Sequence, residues 1–309
     1  MLLLLLVAEA YLQHRHGINP TGYRGPSAGT KKYNEKRIAV LGGSTTWGYG
    51  LPWNQTFPAH LERNLQLRRG SGNAPFFSVL NMGYNSQGAY SFKYTLKDYD
   101  YLAPDIIVLY SGYNDLVPEP QNRSNFRHDS PVFLATGYMP LLPFFLSGKI
   151  SALTAAFRNK DDRTVFSQPD LDQQKITHNA NVANSLKKQM EESKQNGYYV
   201  APSADNDCAQ KWMFYCTQIF DAINVALNMG KRVLVVTEPY LDDRYIDQQR
   251  SLRNMLGKRF PNNDNVRYVN LGLTVDLKDP ELCWDGMHLT EKGSARIADA
   301  VAQALIPLL

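Results

Sequence analysis

The chain has 309 residues, 43% of them hydrophobic, and a formal net charge of +4, which fits an enzyme-sized globular protein with a large core. Its basic residues are scattered, in short pairs such as Lys31-Lys32 and Arg68-Arg69, which argues against nucleic acid as a partner. The length would allow two domains, but the motifs described below lie at both ends of one series of strands and helices. A single domain with an insertion is therefore favoured.

The N-terminal segment differs in composition from the rest of the chain. Residues 2–8 are wholly apolar, but they are far fewer than the roughly 20 residues that a spanning helix needs, and no basic residue precedes them. We expect residues 1–12 to be the remnant of a membrane anchor or export signal, and residues 13–36 to be a linker to a domain at 37–309. The alternative is an ordinary helix packed on the domain. The first interpretation favours an extracytoplasmic protein, exported or tethered to a membrane.

Short aliphatic runs alternate with segments of helical length and spacing along the domain. The predicted strands are 37–41, 76–81, 105–110, 232–237 and 266–270, and the predicted helices are 57–69, 90–102, 212–229, 245–260 and 290–305. Strands of this kind are buried on both faces of a parallel sheet. The pattern predicts a doubly wound, three-layer α/β/α fold around a five-stranded, mainly parallel sheet.

The stretch from about 117 to 202 interrupts this alternation. It contains five prolines between 118 and 143, an apolar run at 141–146 and a polar helical segment at about 170–194. Because it follows the third strand directly, we expect an insertion that folds over the active-site end as a lid or pocket wall. The alternative for 138–146 is packing against the main core.

Two of the three cysteines lie eight residues apart. On one continuous helix, Cys208 and Cys216 would be about 12 Å apart, beyond the roughly 7 Å limit for a disulfide. A bridge therefore requires Cys208 to precede the helix. We expect Cys283 to be a buried structural thiol.

Two distant motifs carry the groups needed for acyl transfer. Ser44 lies in Gly42-Gly43-Ser44-Thr45, on a tight turn directly after the first predicted strand. Asp285 and His288 lie three residues apart near the C-terminus. A hydroxyl of this kind needs a base to accept its proton, and a free imidazole, whose pKa is near 6.5, is suited to that role. Asp285 would hold the other ring nitrogen, so the three residues form a candidate catalytic triad.

Two more segments follow the second and third predicted strands. They are Asn81-Met82-Gly83-Tyr84-Asn85 and Gly112-Tyr113-Asn114-Asp115. With Ser44 and the Asp285/His288 pair, they resemble in order and context the four sequence blocks of the SGNH (GDSL) hydrolase family. The resemblance extends from residue 37 to the C-terminus. One departure stands in the first block, where Gly43 replaces the family's common Asp.

This resemblance implies a flavodoxin-like fold and assigns oxyanion donors. They are the Ser44 backbone N–H, the Gly83 backbone N–H and the Asn114 side-chain amide. The residue types suit the task, because glycine permits close approach and a carboxamide donates without carrying charge.

The expected activity is that of a serine esterase that cleaves carboxylic esters, such as short-chain acyl or acetyl esters, through an acyl-enzyme. No metal or organic cofactor is expected, and the substrate would be a small-molecule, glycan or lipid ester. One alternative is an O-acyltransferase acting on a cell-envelope or polysaccharide hydroxyl. Another is a non-catalytic binding module on the same fold.

Residues near the predicted site have open roles. Trp47 and Tyr49 fit either an acyl pocket or core packing. Asp115 is expected to form hydrogen bonds or cap a helix. Glu238 follows the fourth strand and faces the active-site end, with no role assigned by the sequence.

Overall fold

The computed structural model describes residues 2–69, 75–116, 127–143, 146, 207–241 and 243–309. The strands are β1 (Glu35–Gly42), β2 (Phe76–Asn81), β3 (Ile106–Ser111), β4 (Arg232–Thr237) and β5 (Val266–Asn270). The α-helices are α1 (Leu2–His16), α2 (Ser44–Trp47), α3 (Phe57–Arg68), α4 (Phe92–Asp98), α5 (Pro131–Thr136), α6 (Met213–Asn228), α7 (Asp243–Arg259) and α8 (Glu291–Leu305).

The five strands form one parallel sheet in the order β2-β1-β3-β4-β5, which confirms the predicted doubly wound topology. Central β3 is buried along its whole length, and its register places Ile106 beside Ile38 on one side and Arg232 on the other. All strands run the same way, so their carboxyl ends lie at one rim. The loops that follow β1, β2, β3 and β4 therefore meet there.

The helices cover both faces of the sheet, because alternate residues of each strand point to opposite sides. Ala39 and Leu41 belong to a core that includes α4, α6 and part of α7, whereas Ile38 and Val40 belong to a core that includes α3 and α8. The predicted single helix at 90–102 is instead three short pieces. Two 3₁₀ turns, Ala89–Ser91 and Asp100–Leu102, flank α4. The last turn ends at Ala103, where the following proline disfavours helical geometry.

Helix α1 is packed at one end and exposed at the other. Both carboxylate oxygens of Glu9 accept hydrogen bonds of 2.7 Å from the N–H groups of Leu141 and Leu142. By contrast, the side chains of Leu3 and Leu4 are each 73% exposed. None of the helices in the described ranges combines the length and the apolar character that crossing a membrane requires.

Part of the segment predicted as a linker is packed into the protein, which corrects that expectation. Ile18, Tyr23 and Arg24 are buried, and Arg24 forms a backbone bridge with Asn81 at the end of β2. The guanidinium of Arg24 donates to the carbonyls of Trp47 and Gly48, directly beyond α2. The high proportion of Gly and Pro misled the prediction, because here these residues form tight turns against the domain.

The described part of the insertion also packs on the core. Met139 and Leu141 are buried, and buried Arg127 donates to the carbonyls of Gly22 and Met82. The packing alternative is thus confirmed for these two apolar residues. Most of the insertion, including the predicted polar helix at about 170–194, lies outside the described residues, so the lid stays a prediction.

Cys208 and Cys216 form a disulfide with a Cα–Cα distance of 6.5 Å. Cys208 precedes the 3₁₀ turn Gln210–Trp212 that leads into α6, which meets the condition set by the sequence analysis. Cys283 is buried, as predicted, and takes no part in the bridge.

Candidate active site

The turn after β1 places Ser44 at the rim of the sheet. Gly43 precedes the one-turn helix α2, and Ser44 is its first residue. Gly42 permits this turn because a Cβ there would lie 2.0 Å from Thr46 Oγ1 and 2.7 Å from the carbonyl oxygen of Tyr110. The Ser44 N–H is among the first N–H groups of α2, which have no acceptor within the helix.

The structure brings Ser44, His288 and Asp285 together. His288 Nε2 lies 2.9 Å from Ser44 Oγ, and His288 Nδ1 lies 2.6 Å from Asp285 Oδ2. Residues 244 positions apart in the chain therefore form one hydrogen-bonded series. The distances are those expected of a nucleophile, its base and the group that orients the base.

Asp285 is held as a carboxylate by its own loop. Its Oδ1 accepts hydrogen bonds from the N–H groups of Met287 and His288, at 2.9 and 2.6 Å. Burial acts to raise the pKa of Asp285, but these hydrogen bonds and the contact with the His288 ring outweigh burial and hold the pKa below its usual value. An ionised Asp285 is able to stabilise an imidazolium on His288.

Two aromatic rings flank the imidazole. The ring centroids of Tyr49 and Trp284 lie 4.6 and 5.7 Å from that of His288, and 5.8 Å from each other. Trp47, in contrast, is 2% exposed and packs edge-on against Tyr84. Of the two aromatic residues that follow the nucleophile, Trp47 is a core residue and Tyr49 lies beside the triad.

Asn114 lies next to the nucleophile turn. It belongs to the 3₁₀ turn Tyr113–Asp115 after β3, and its Nδ2 donates to the carbonyl of Gln87 at 3.0 Å. A Cβ on Gly43 would stand only 2.1 Å from this same nitrogen. The glycine at position 43 therefore leaves the space that the Asn114 amide occupies.

Gly83 lies beside the nucleophile turn. Its N–H donates to Asn81 Oδ1 at 3.1 Å, and its Cα packs so closely on α2 that a Cβ would lie 2.5 Å from Trp47 N. The role of this N–H as an oxyanion donor stays a prediction. In the same loop, Ser86 has a φ of 60°, a left-handed conformation uncommon for a serine. No sequence motif marked Ser86, because backbone strain leaves no pattern in residue type.

Asp115 joins this loop to the β3 turn, as a hydrogen-bonding residue. Its Oδ1 accepts from the Ala89 N–H at 2.9 Å, and the carboxyl lies so close to Gly88 that a Cβ there would be 2.4 Å from Oδ1. Burial raises the pKa of Asp115 to about 7 in spite of the Ala89 hydrogen bond. This residue fixes the loop beside Asn114.

Comparison with known proteins gives resemblance in fold. No protein-family model matches the chain, and neither does any curated protein. A GDSL-like lipase from Bacteroides thetaiotaomicron is 14% identical with a TM-score of 0.47, over 91% of this chain and 93% of its own. A family 3 carbohydrate esterase from Clostridium thermocellum is 13% identical with a TM-score of 0.47, over 89% and 96%. The esterase EstA from Pseudoalteromonas sp. is 10% identical with a TM-score of 0.47, over 87% and 96%.

The solved structures similar to this chain are thus GDSL/SGNH lipases and carbohydrate esterases, at low sequence identity. The strand order β2-β1-β3-β4-β5, with helices on both faces of a parallel sheet, is that of a doubly wound, flavodoxin-like α/β fold.

Proposed function

We propose that this protein is a serine esterase that cleaves carboxylic esters through an acyl-enzyme. The observation that carries the proposal is the unbroken series from Ser44 Oγ through His288 to the Asp285 carboxylate, at 2.9 and 2.6 Å. A serine with a purely structural role would not need an imidazole oriented by a carboxylate.

The reaction follows from this arrangement in two steps. Ser44 Oγ attacks the ester carbonyl carbon while His288 Nε2 accepts its proton, and the carbonyl oxygen becomes an oxyanion. His288 then gives the proton to the departing alcohol, which leaves an ester on Ser44. In the second step His288 takes a proton from water, the hydroxide attacks the acyl carbon, and Ser44 regains its proton as the acid leaves.

The oxyanion needs donors that are already in place. The Ser44 N–H at the start of α2 and the Nδ2 of Asn114 are the groups we assign. Asn114 Nδ2 carries two hydrogens, so it can donate one to the Gln87 carbonyl and the other to substrate. The Gly83 N–H, which donates to Asn81 Oδ1, stays a predicted third donor.

The esterase proposal is tested by hydrolysis of p-nitrophenyl acetate and of longer-chain p-nitrophenyl esters. We expect Ser44→Ala to lower kcat by about 10⁴-fold or more. Ser27→Ala, at an exposed serine outside the site, is the matched control and should keep the wild-type rate. Circular dichroism establishes that each variant is folded. Equal rates for wild type and Ser44→Ala would reject the proposal, and a folded wild type without turnover or Ser44 acylation would favour a non-catalytic module.

The same acyl-enzyme could pass its acyl group to a sugar hydroxyl instead of water. Product analysis with and without a glycan acceptor separates the two activities. An esterase releases free acid at an unchanged rate when the acceptor is present, whereas a transferase labels the acceptor in preference to water.

We also infer an extracytoplasmic location. The Cys208–Cys216 disulfide supports it, since such bridges persist mainly in oxidising compartments. The exposed leucines of α1 support a tether at the membrane. Alkylation of the protein taken directly from cells, followed by mass spectrometry, should leave both cysteines unmodified until a reductant is added. Alkylation without reductant would contradict the location.

A further inference from the structure

A buried carboxyl group lies beneath the candidate site and takes no part in the triad. Glu238 follows β4 at the carboxyl rim of the sheet and is 2% exposed. A carboxyl removed from water in this way costs free energy unless its oxygens are hydrogen-bonded. Its contacts therefore indicate what it does.

The two carboxyl oxygens of Glu238 contact both halves of the site. Thr45 Oγ1 donates to Oε1, and the Tyr113 N–H donates to Oε2 at 2.6 Å. Thr45 directly follows the nucleophile Ser44, and Tyr113 directly precedes Asn114. One side chain thus joins the turn that carries the nucleophile to the turn that carries the oxyanion amide.

The backbone of Glu238 is fixed by α7. The Glu238 N–H donates to the hydroxyl of Tyr245 at 2.7 Å, and the Glu238 carbonyl accepts from Gln249 Nε2 at 3.1 Å. The Tyr113 hydroxyl also donates to the carbonyl of Pro239 at 2.7 Å. These bonds hold the carboxyl in one position, so the carboxyl in turn fixes the positions of Thr45 and Tyr113.

Burial makes this carboxyl less acidic than an exposed one. It raises the pKa of Glu238 to about 7, although hydrogen bonds from Thr45 and Tyr113 and the charge of His288 act to lower it. The titratable groups that face it are Tyr110 and Tyr113 from the end of β3, Asp115, Tyr215 on α6, Tyr245 on α7 and His288. Burial raises the pKa values of the four tyrosines well above 10 and that of Asp115 to about 7.

We propose that Glu238 is a positioning residue, which holds Ser44 and Asn114 at their working separation. This inference rests on the proposed esterase function, and it follows from the two hydrogen bonds that the carboxyl accepts from Thr45 and Tyr113.

Two substitutions of Glu238 test this positioning role. Glu238→Gln keeps an oxygen for the Tyr113 N–H and an amide that can donate to Thr45, but it removes the charge. Glu238→Ala removes both contacts. We expect Glu238→Ala to lower kcat about 100-fold with little change in KM, since a misplacement of about 1 Å at the reacting atoms has that effect. Glu238→Gln should recover at least tenfold of this loss.

Glu35→Gln is the matched control, because Glu35 is also buried but lies at the opposite end of β1, in an ion pair with Arg37. It should leave kcat and KM for the ester unchanged.

The outcomes are distinguishable from a failure of the proposed function. A wild-type protein that neither hydrolyses esters nor is acylated at Ser44 would reject the esterase. An active wild type with the same kcat in a folded Glu238→Ala variant would reject the positioning role. If Glu238→Ala does not fold, Glu238→Asp decides, because its shorter side chain draws the carboxyl away from Thr45 and Tyr113. A wild-type kcat in a folded Glu238→Asp variant would reject the positioning role.

Discussion

The space left by Gly43 offers a sharp test of the site geometry. In Gly43→Ala, the added Cβ would lie 2.1 Å from Asn114 Nδ2, whereas ordinary contact begins at 3.4 Å. The amide nitrogen must therefore retreat by about 1.3 Å, the difference between these distances, and its 3.0 Å bond to Gln87 cannot persist. The φ of Gly43 is −87°, so an alanine meets no left-handed strain, but its Cβ would also lie 2.9 Å from the carbonyl oxygen of Gln87.

Displacing an oxyanion donor costs about 10²- to 10³-fold in kcat, or roughly 3–4 kcal/mol of transition-state stabilisation. We expect a loss of this size in Gly43→Ala with a nearly unchanged KM for p-nitrophenyl acetate, and about 1–3 kcal/mol lower stability from overpacking. Gly257→Ala is the control, because Gly257 lies in α7 and a Cβ there meets nothing within 4 Å. It should keep full activity and gain up to about 1 kcal/mol of stability.

A double mutant tests whether the loss of activity in Gly43→Ala is caused by displacement of the Asn114 amide. In an Asn114→Ala background no amide nitrogen remains to be displaced, so adding Gly43→Ala should cost much less than in the wild type. Full additivity of the two losses in ΔG‡, or a wild-type kcat for Gly43→Ala, would refute the assignment of Asn114 as a donor.

Three further predictions concern other parts of the structure. Asp285→Asn should lower kcat by about 10⁴-fold, as loss of the orienting carboxylate does in a serine protease. Because the folded-state pKa of Asp285 is depressed, its contribution to stability should be complete at neutral pH and should vanish as the pH falls through that lowered pKa. Urea unfolding of wild type and variant at several pH values measures this contribution, and a difference that does not change with pH would contradict the prediction. Replacing both Cys208 and Cys216 by serine should reduce the free energy of unfolding by about 2.5 kcal/mol, the value expected for so short a loop, and leave kcat unchanged; no loss of stability in urea unfolding would argue against the bridge. Ser86→Gly should relieve the left-handed strain and raise stability by about 1 kcal/mol with activity kept, whereas a fall in the unfolding midpoint would show that Ser86 is not strained.

The sequence predicted the strands and the triad because both depend on local patterns. Short aliphatic and aromatic runs located β2, β4 and β5 to the residue, although β2 and β5 have partly exposed positions. Ser44 and the Asp285/His288 pair were placed by chemistry that requires those residue types.

The sequence did not reveal features that only tertiary contacts determine. The motif of Gly83 does not reveal that its N–H donates to Asn81 or that its Cα packs against α2. The residues between α1 and β1 read as a linker because composition does not reveal that Arg24 reaches the carbonyls beyond α2. Glu238 had no assigned role, since only the fold brings Thr45 and Tyr113 to its carboxyl.

The central claim is that His288 activates Ser44 as a nucleophile. It is tested most directly by treating the protein with diisopropyl fluorophosphate and mapping the adduct by peptide mass spectrometry. The account predicts one modified residue, Ser44, labelled far more slowly in a folded His288→Ala variant. Labelling of another residue, or equal labelling of Ser44 without His288, would contradict it.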